Sequence, residues 1–274
     1  MKTSKNFVIA GMLSLLAVVN VIGQTVVKTK EMNANYVYEL EIANKLSTRS
    51  AVVNMPVTQL LNAPGNEGLR DFFFTPVKNK TALKGKKIAV IVADGFEEIE
   101  LTGPVWYFRE LGAEVEIVAP KFNPAPERYG LVYPEMSKTH IMAIQYLQPV
   151  GWIKFDKTAD QIKVDDYDAV FIPGGAWNPD NLRADEDVIK FIQDFNKSGK
   201  LIAAICHAPV VLASADILKS RKLTGYWNIQ SDLRNAGGIV TEASVVTDGN
   251  IITSRHPIDV ADFSRAVEIW LAKK

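Results

Sequence analysis

Cysteine is almost missing from this chain. Cys206 is the only one in 274 residues, so no internal disulfide can form, and the thiol is either free or an intermolecular link. Histidine is nearly as scarce. His140, His207 and His256 are scattered and, with the one cysteine, show no zinc-ligand spacing, so no metal site is expected. No Gly-x-Gly-x-x-Gly run and no phosphate loop occurs, so a nucleotide is not implied and no cofactor is expected. An excess of one charge is lacking too: 31 Lys and Arg face 31 Asp and Glu, which gives no electrostatic case for nucleic acid or an anionic membrane. After residue 23 no apolar run is long enough to cross a bilayer.

What is present begins with a short basic start, residues 1–6, and a nearly uncharged apolar run from Phe7 to Gly23. This is the layout of a secretory signal peptide with cleavage near Gly23; the alternative is an uncleaved anchor, although about 17 residues is the lower limit for a span. No cysteine follows the run, so a lipid-anchor site is absent. The expectation is an exported protein, periplasmic or secreted, without membrane attachment after cleavage. Losing residues 1–23 removes Lys2 and Lys5 and leaves 29 basic against 31 acidic side chains. Residues 24–86 read as an extension of the main domain, with a short helix over 39–46, a turn-rich break at 62–68, and an apolar patch, Asp71-Phe-Phe-Phe-Thr-Pro, that something must cover.

From Lys87 the pattern changes. Residues 87–93 form a continuous β-branched run of the kind buried on both faces of a parallel sheet. Asp94-Gly95 turns the chain, and residues 97–111 have helical character ending at Gly112, a C-cap signal. Further strands are expected at 114–119, 168–173, 201–205 and 222–226, with helices at 186–197, 229–236 and 259–271. Residues 121–164 are irregular, an inserted loop or small hairpin, and Asp248-Gly249 joins 243–247 to 250–254 as a β-hairpin. Strands alternating with helices through short joints predict an α/β fold: an open, mostly parallel sheet with helices on both faces. Sites in such sheets form at the carboxyl ends of the strands, where the turns at Asp94, Gly174 and Cys206 all lie.

Cys206 sits where the strand 201–205 turns directly into a helix beginning near Pro209. The free N–H groups and positive end of that helix favour thiolate, which makes Cys206 a candidate nucleophile on an elbow; the alternative is a small apolar residue buried in the sheet. Three segments share the rim: Phe96-Glu-Glu-Ile-Glu100, Pro173-Gly-Gly-Ala-Trp-Asn-Pro-Asp180 and Ala204-Ile-Cys-His-Ala-Pro209. In this order, at these strand ends, they resemble the DJ-1/PfpI family within the class I glutamine-amidotransferase-like, flavodoxin-like sandwich. The resemblance covers residues 87–273 and is closest to the PfpI branch, because His follows Cys directly and Tyr226 recurs in Leu223-Thr-Gly-Tyr-Trp.

The resemblance implies a role for each matching position. Cys206 is the nucleophile. Glu100 is the buried carboxyl beside the sulfur, with a raised pKa; spacing alone does not separate it from Glu97 and Glu98, which suit a helix N-terminus. His207 is the base or acid paired with the thiol, and Asp180 the acid that orients it, often from a neighbouring subunit, unless it is a solvated loop acid. Gly175 and the His207 amide form the oxyanion hole, Gly174 and Tyr226 contact substrate, and the partners are a small-molecule or peptide substrate and further copies of the chain. Two departures stand out: His256, near the site or capping the last helix, and the insert 121–164, long enough to reshape the pocket. The implied activity is that of a cofactor-independent cysteine hydrolase of the amidase or peptidase kind. A glyoxalase- or deglycase-like enzyme acting on α-oxoaldehydes or their adducts is one alternative. A non-enzymatic redox or stress sensor using Cys206 is the other.

Overall fold

The computed structural model describes residues 57–121 and 135–273. The expected signal peptide, 1–23, and the helix expected over 39–46 lie outside the described residues, as does part of the insert, 122–134. Two helices come first, α1 (Val57–Asn62) and α2 (Glu67–Phe74), separated by the turn-rich break. Then follow β1 (Lys87–Ile91), β2 (Phe96–Glu97), α3 (Glu98–Glu110), β3 (Glu114–Ala119), β4 (His140–Gln145), β5 (Gln148–Lys154), β6 (Lys157–Thr158) and β7 (Ala169–Ile172). The chain continues through α4 (Asn178–Arg183), α5 (Glu186–Lys197), β8 (Leu201–Ile205), α6 (Pro209–Ser214), β9 (Lys222–Leu223) and α7 (Gln230–Asn235). It closes with β10 (Ile239–Val240), β11 (Val245–Asp248), β12 (Ile251–Ser254) and α8 (Val260–Ala272).

Seven strands form the central sheet in the order β11-β12-β8-β7-β1-β3-β6. Every pairing is parallel except β11 with β12, which is the antiparallel hairpin expected from Asp248-Gly249. Alternation along each strand splits the core. Ile88, Val90, Phe171, Ala203 and Ile205 face one layer with Phe108 of α3 and Phe263 of α8. Ala89, Ile91, Val170, Ile172, Ile202 and Ala204 face the other, with residues of α5 and α6. Both faces are dry because each carries helices, which is why these strands read as unbroken apolar runs.

The Asp71–Thr75 patch is covered as required. Phe72 is buried, and its ring meets Trp106 edge-on at 5.9 Å and Tyr107 at 4.9 Å, while Phe73 stacks on Trp106 at 6.1 Å. Gly103 of α3 makes this approach possible, since a Cβ there would lie 2.9 Å from the Phe73 ring. The described part of the extension therefore packs against α3 by aromatic contact. Phe74 remains exposed.

Two expectations need correction. Strand 222–226 stops at Leu223, because the next residues are drawn to other partners: Thr224 N–H donates to Thr253 Oγ1 and Tyr226 N–H donates to the Cys206 carbonyl. The helix expected from 229 starts at Gln230, after a 3-10 turn over Trp227–Ile229. The described part of the insert contains a hairpin, β4 with β5, that joins β2 in a separate three-stranded sheet.

Candidate active site

Cys206 terminates β8 and has φ 63, the left-handed region that a residue with a Cβ rarely occupies. Such a conformation costs on the order of 1–3 kcal/mol and persists only where its surroundings enforce it. Here they do. Cys206 N–H donates to the Ser254 carbonyl at 3.0 Å, and its own carbonyl accepts from Tyr226 N–H at 2.9 Å. The turn brings two consecutive side chains to one side, so that Cys206 Sγ lies 3.2 Å from His207 Nδ1. The Tyr226 ring stacks on the imidazole, with centroids 4.6 Å apart and planes 28° apart, and so holds the ring in place.

Glu100 comes from the first turn of α3, beneath the sulfur, and is fully buried. Neither of its carboxyl oxygens has a hydrogen-bond partner of good geometry; its nearest polar neighbours are the Cys206 thiol and the Gly174 backbone. Burial first, and then the nearby Glu97 charge, push its pKa well above the ordinary carboxylate range. Burial and the negative charge of an ionised Glu100 also push the Cys206 thiol up, while the backbone N–H groups of Gly175 and His207 pull it down. The expectation of a resting thiolate counted only the helix end and the amides. Burial of the sulfur opposes them, and the helix that follows, α6, is a short six-residue one. The His207 imidazole is the base in reach of the sulfur. Burial lowers the His207 pKa, which keeps the ring neutral and able to accept a proton, and the Asp180 charge opposes that shift.

Glycine is required at two places. A Cβ on Gly174 would lie within 3.0 Å of Cys206 Cβ, Glu100 Oε2 and the Ile205 carbonyl, and one on Gly175, at φ 101, would strike the Gly95 carbonyl and the Glu97 amide. Gly174 thus acts by absence of a side chain, packed between nucleophile and acid. Gly175 turns its N–H towards the sulfur, where an oxyanion formed by attack would also lie.

Asp180 is brought to the same rim without touching the histidine in this chain. Its side chain is 74% exposed and pairs with Arg183 at 3.5 Å one turn along α4. His256 lines the cavity, and its Nδ1 is buried with no hydrogen-bond partner, 3.7 Å from Asp259 Oδ2. It occupies the cap position of the 3-10 turn over Pro257–Asp259 without a side-chain capping bond.

Several working residues escape the sequence reading. Asn178 is fully buried and joins three segments: Oδ1 accepts from Ala93 N–H at 2.7 Å, and Nδ2 donates to the Pro173 and Gly174 carbonyls at 2.6 and 3.1 Å. An asparagine within Gly-Gly-Ala-Trp-Asn-Pro was the available signal, since a buried amide can serve both donor and acceptor sides of a loop. Glu97 does sit at the N-terminal end of α3, as its cap residue, and also accepts from Tyr146 N–H at 2.8 Å at the tip of the β4–β5 hairpin. Burial, with the Glu98 charge adding to it, raises its pKa to about 7. Leu60 of α1 also reaches the cavity, whose volume is about 450 Å³.

Together these features define an α/β protein whose one cysteine stands on a strained strand-to-helix turn over a buried acid. Residues 86–268 match the model of the DJ-1/PfpI family, and the chain belongs to that family. It is 39% identical over 180 residues, 66% of this chain and 95% of the relative, to a Bacillus subtilis protein named "Putative cysteine protease YraA". It is 36% identical over 181 residues, 66% of this chain and 94% of the relative, to "Protein/nucleic acid deglycase 2" of Escherichia coli. Among solved structures, Drosophila melanogaster DJ-1beta superposes with a TM-score of 0.58 at 27% identity, covering 69% of this chain and 91% of that one. Among the described residues no cluster of side chains could hold a metal ion, and no helix is long and apolar enough to cross a membrane.

Proposed function

We propose that this chain is a cysteine-dependent hydrolase of amide-like bonds that works through a covalent adduct on Cys206. The observation that carries the reading is the 3.2 Å approach of Sγ to His207 Nδ1 at a residue held in the left-handed region. His207 Nδ1 accepts the thiol proton as Sγ attacks the carbonyl carbon, and the C=O electron pair moves onto oxygen. The N–H groups of Gly175 and His207 receive that oxyanion. Collapse restores C=O, breaks the C–N bond and passes the proton from His207 to the leaving amine, giving a thioester. Water then attacks the thioester, with His207 accepting its proton and returning it to sulfur. The relative named for a cysteine protease supports this chemistry.

A second reading draws on Glu100, whose carboxyl burial drives towards the protonated form. A neutral carboxyl beside the sulfur can donate to a hemithioacetal oxygen and relay a proton between neighbouring carbons, which suits α-oxoaldehydes; the relative named as a deglycase favours it. The apolar run 7–23 supports action outside the cytoplasm, and the exposed position of Asp180 suits a homo-oligomer in which acids are exchanged at subunit contacts. The test is turnover of small amides and of α-oxoaldehydes by the wild type, Cys206→Ala and His207→Ala. Turnover of amides that is lost in both variants supports hydrolysis; turnover of oxoaldehydes alone moves the assignment to the second reading.

A further inference from the structure

The walls of the 450 Å³ pocket say more about its occupant than the catalytic groups do. Leu60, Tyr146, Leu147, Trp227 and Ile258 supply an apolar rim, and among the described residues no Lys or Arg lines the cavity. Besides Cys206, Tyr146 and Tyr226, the titratable lining groups are the acids Glu97 and Glu100 and the imidazoles of His207 and His256, both of which burial keeps towards the neutral form. Arg255, next to His256, is committed to Asp259 at 2.8 and 3.0 Å and to Glu242 at 2.7 Å. A carboxylate in this cavity would therefore meet Glu97 and Glu100 and, among the described residues, no Lys or Arg, with only the Gly175 and His207 N–H groups to receive it. A three-carbon carbonyl would leave most of the volume empty, whereas a ring or branched chain would displace water from apolar walls. Leu60 lies outside the 86–268 family match, and Tyr146 and Leu147 form the hairpin turn fastened to Glu97.

We propose that the pocket selects uncharged carbonyl compounds with an aromatic or branched apolar group beside the reactive carbon. Leu60, Leu147 and Ile258 set that selectivity. The inference rests on the reading of Cys206 as a nucleophile towards carbonyl carbon, but equilibrium binding tests it without turnover. Calorimetry on the full chain carrying Cys206→Ala, which cannot form the adduct, would compare phenylacetamide, acetamide and phenylacetate, which separate ring, carbonyl and charge. Phenylacetamide is expected to bind at least roughly tenfold more tightly than either of the others. Leu60→Ser and Leu147→Ser should each lower its affinity severalfold and leave acetamide unchanged. Leu147 is half exposed at a turn, so that variant folds even if the buried Leu60→Ser does not. Equal affinities, tightest binding of phenylacetate, or no binding of any of the three overturns the proposal. So does a Leu147→Ser variant whose sedimentation changes while its ligand affinity does not, because the rim would then be a contact between copies. Discrimination that survives with no turnover of any substrate would refute the hydrolase reading and leave the selectivity standing.

Discussion

At the scale of single residues, the chemistry reduces to who holds one proton among Cys206, His207 and Glu100. His207→Ala should lower kcat by roughly 10²–10⁴ if the imidazole takes the thiol proton, read by steady-state kinetics. A redox sensor needs only the sulfur and its carboxyl, so retention of full function in His207→Ala would favour that alternative. The pH dependence carries a sign. The base works when neutral, and burial holds its pKa below the ordinary histidine value of 6.5, so the acid limb of kcat/KM should fall below pH 6.5. The Asp180 charge raises that pKa, and Asp180→Asn should move the limb lower still, by less than about one pH unit because the acid is exposed. A limb that moves upward would mean that Asp180 is not the charge the ring feels. Glu97 offers a stability test. Its pKa rises on folding from 4.5 to about 7, so the native state binds more protons in that interval and loses stability as pH climbs through it. Glu97→Gln keeps an acceptor for Tyr146 N–H without the charge. It should be more stable than wild type above pH 7 by about 1–3 kcal/mol, with the gain vanishing below pH 4.5, measured by denaturant titration.

At the scale of elements, the strands were legible because burial on both faces writes itself as unbroken β-branched runs, and α5 because its ends are marked. Asp185 caps its first turn by accepting from Val188 N–H at 3.0 Å, and Gly199 follows its last residues. Strand 222–226 was overread, since the apolar pattern does not disclose that Thr224 and Tyr226 give their N–H groups to Thr253 and Cys206. The contacts of Asn178 and Glu97 were missed for the same reason: their partners lie 85 and 49 residues away in sequence, and only the closed fold brings them near. The Asn178 linkage makes a prediction. Asn178→Ala leaves Ala93 N–H and the Pro173 carbonyl without their side-chain partner, while the Gly174 carbonyl keeps only the Glu97 N–H, which should cost roughly 2–4 kcal/mol in denaturant unfolding and reduce kcat as Gly174 shifts. Unchanged kcat in a folded variant would separate the loop from catalysis. Phe72→Ala should cost about 3–5 kcal/mol, because its ring fills the joint between α2 and α3.

For the molecule as a whole, sheet order and helix layers follow from the sequence pattern, and the convergence of residues 100, 175 and 206 follows from the strand ends they share. The walls around them do not follow. Leu60 belongs to an extension with few signals of its own, and Tyr146 to an insert whose hairpin was only one of two options; neither residue type announces a pocket. The central claim is that Cys206 carries the reaction through a covalent adduct, and the single cysteine makes it directly measurable. Intact mass spectrometry of the full chain, quenched during turnover of an amide substrate, should show one added acyl group on wild type, none on Cys206→Ala, and no turnover by that variant. Turnover that continues in Cys206→Ala without any adduct would contradict the account.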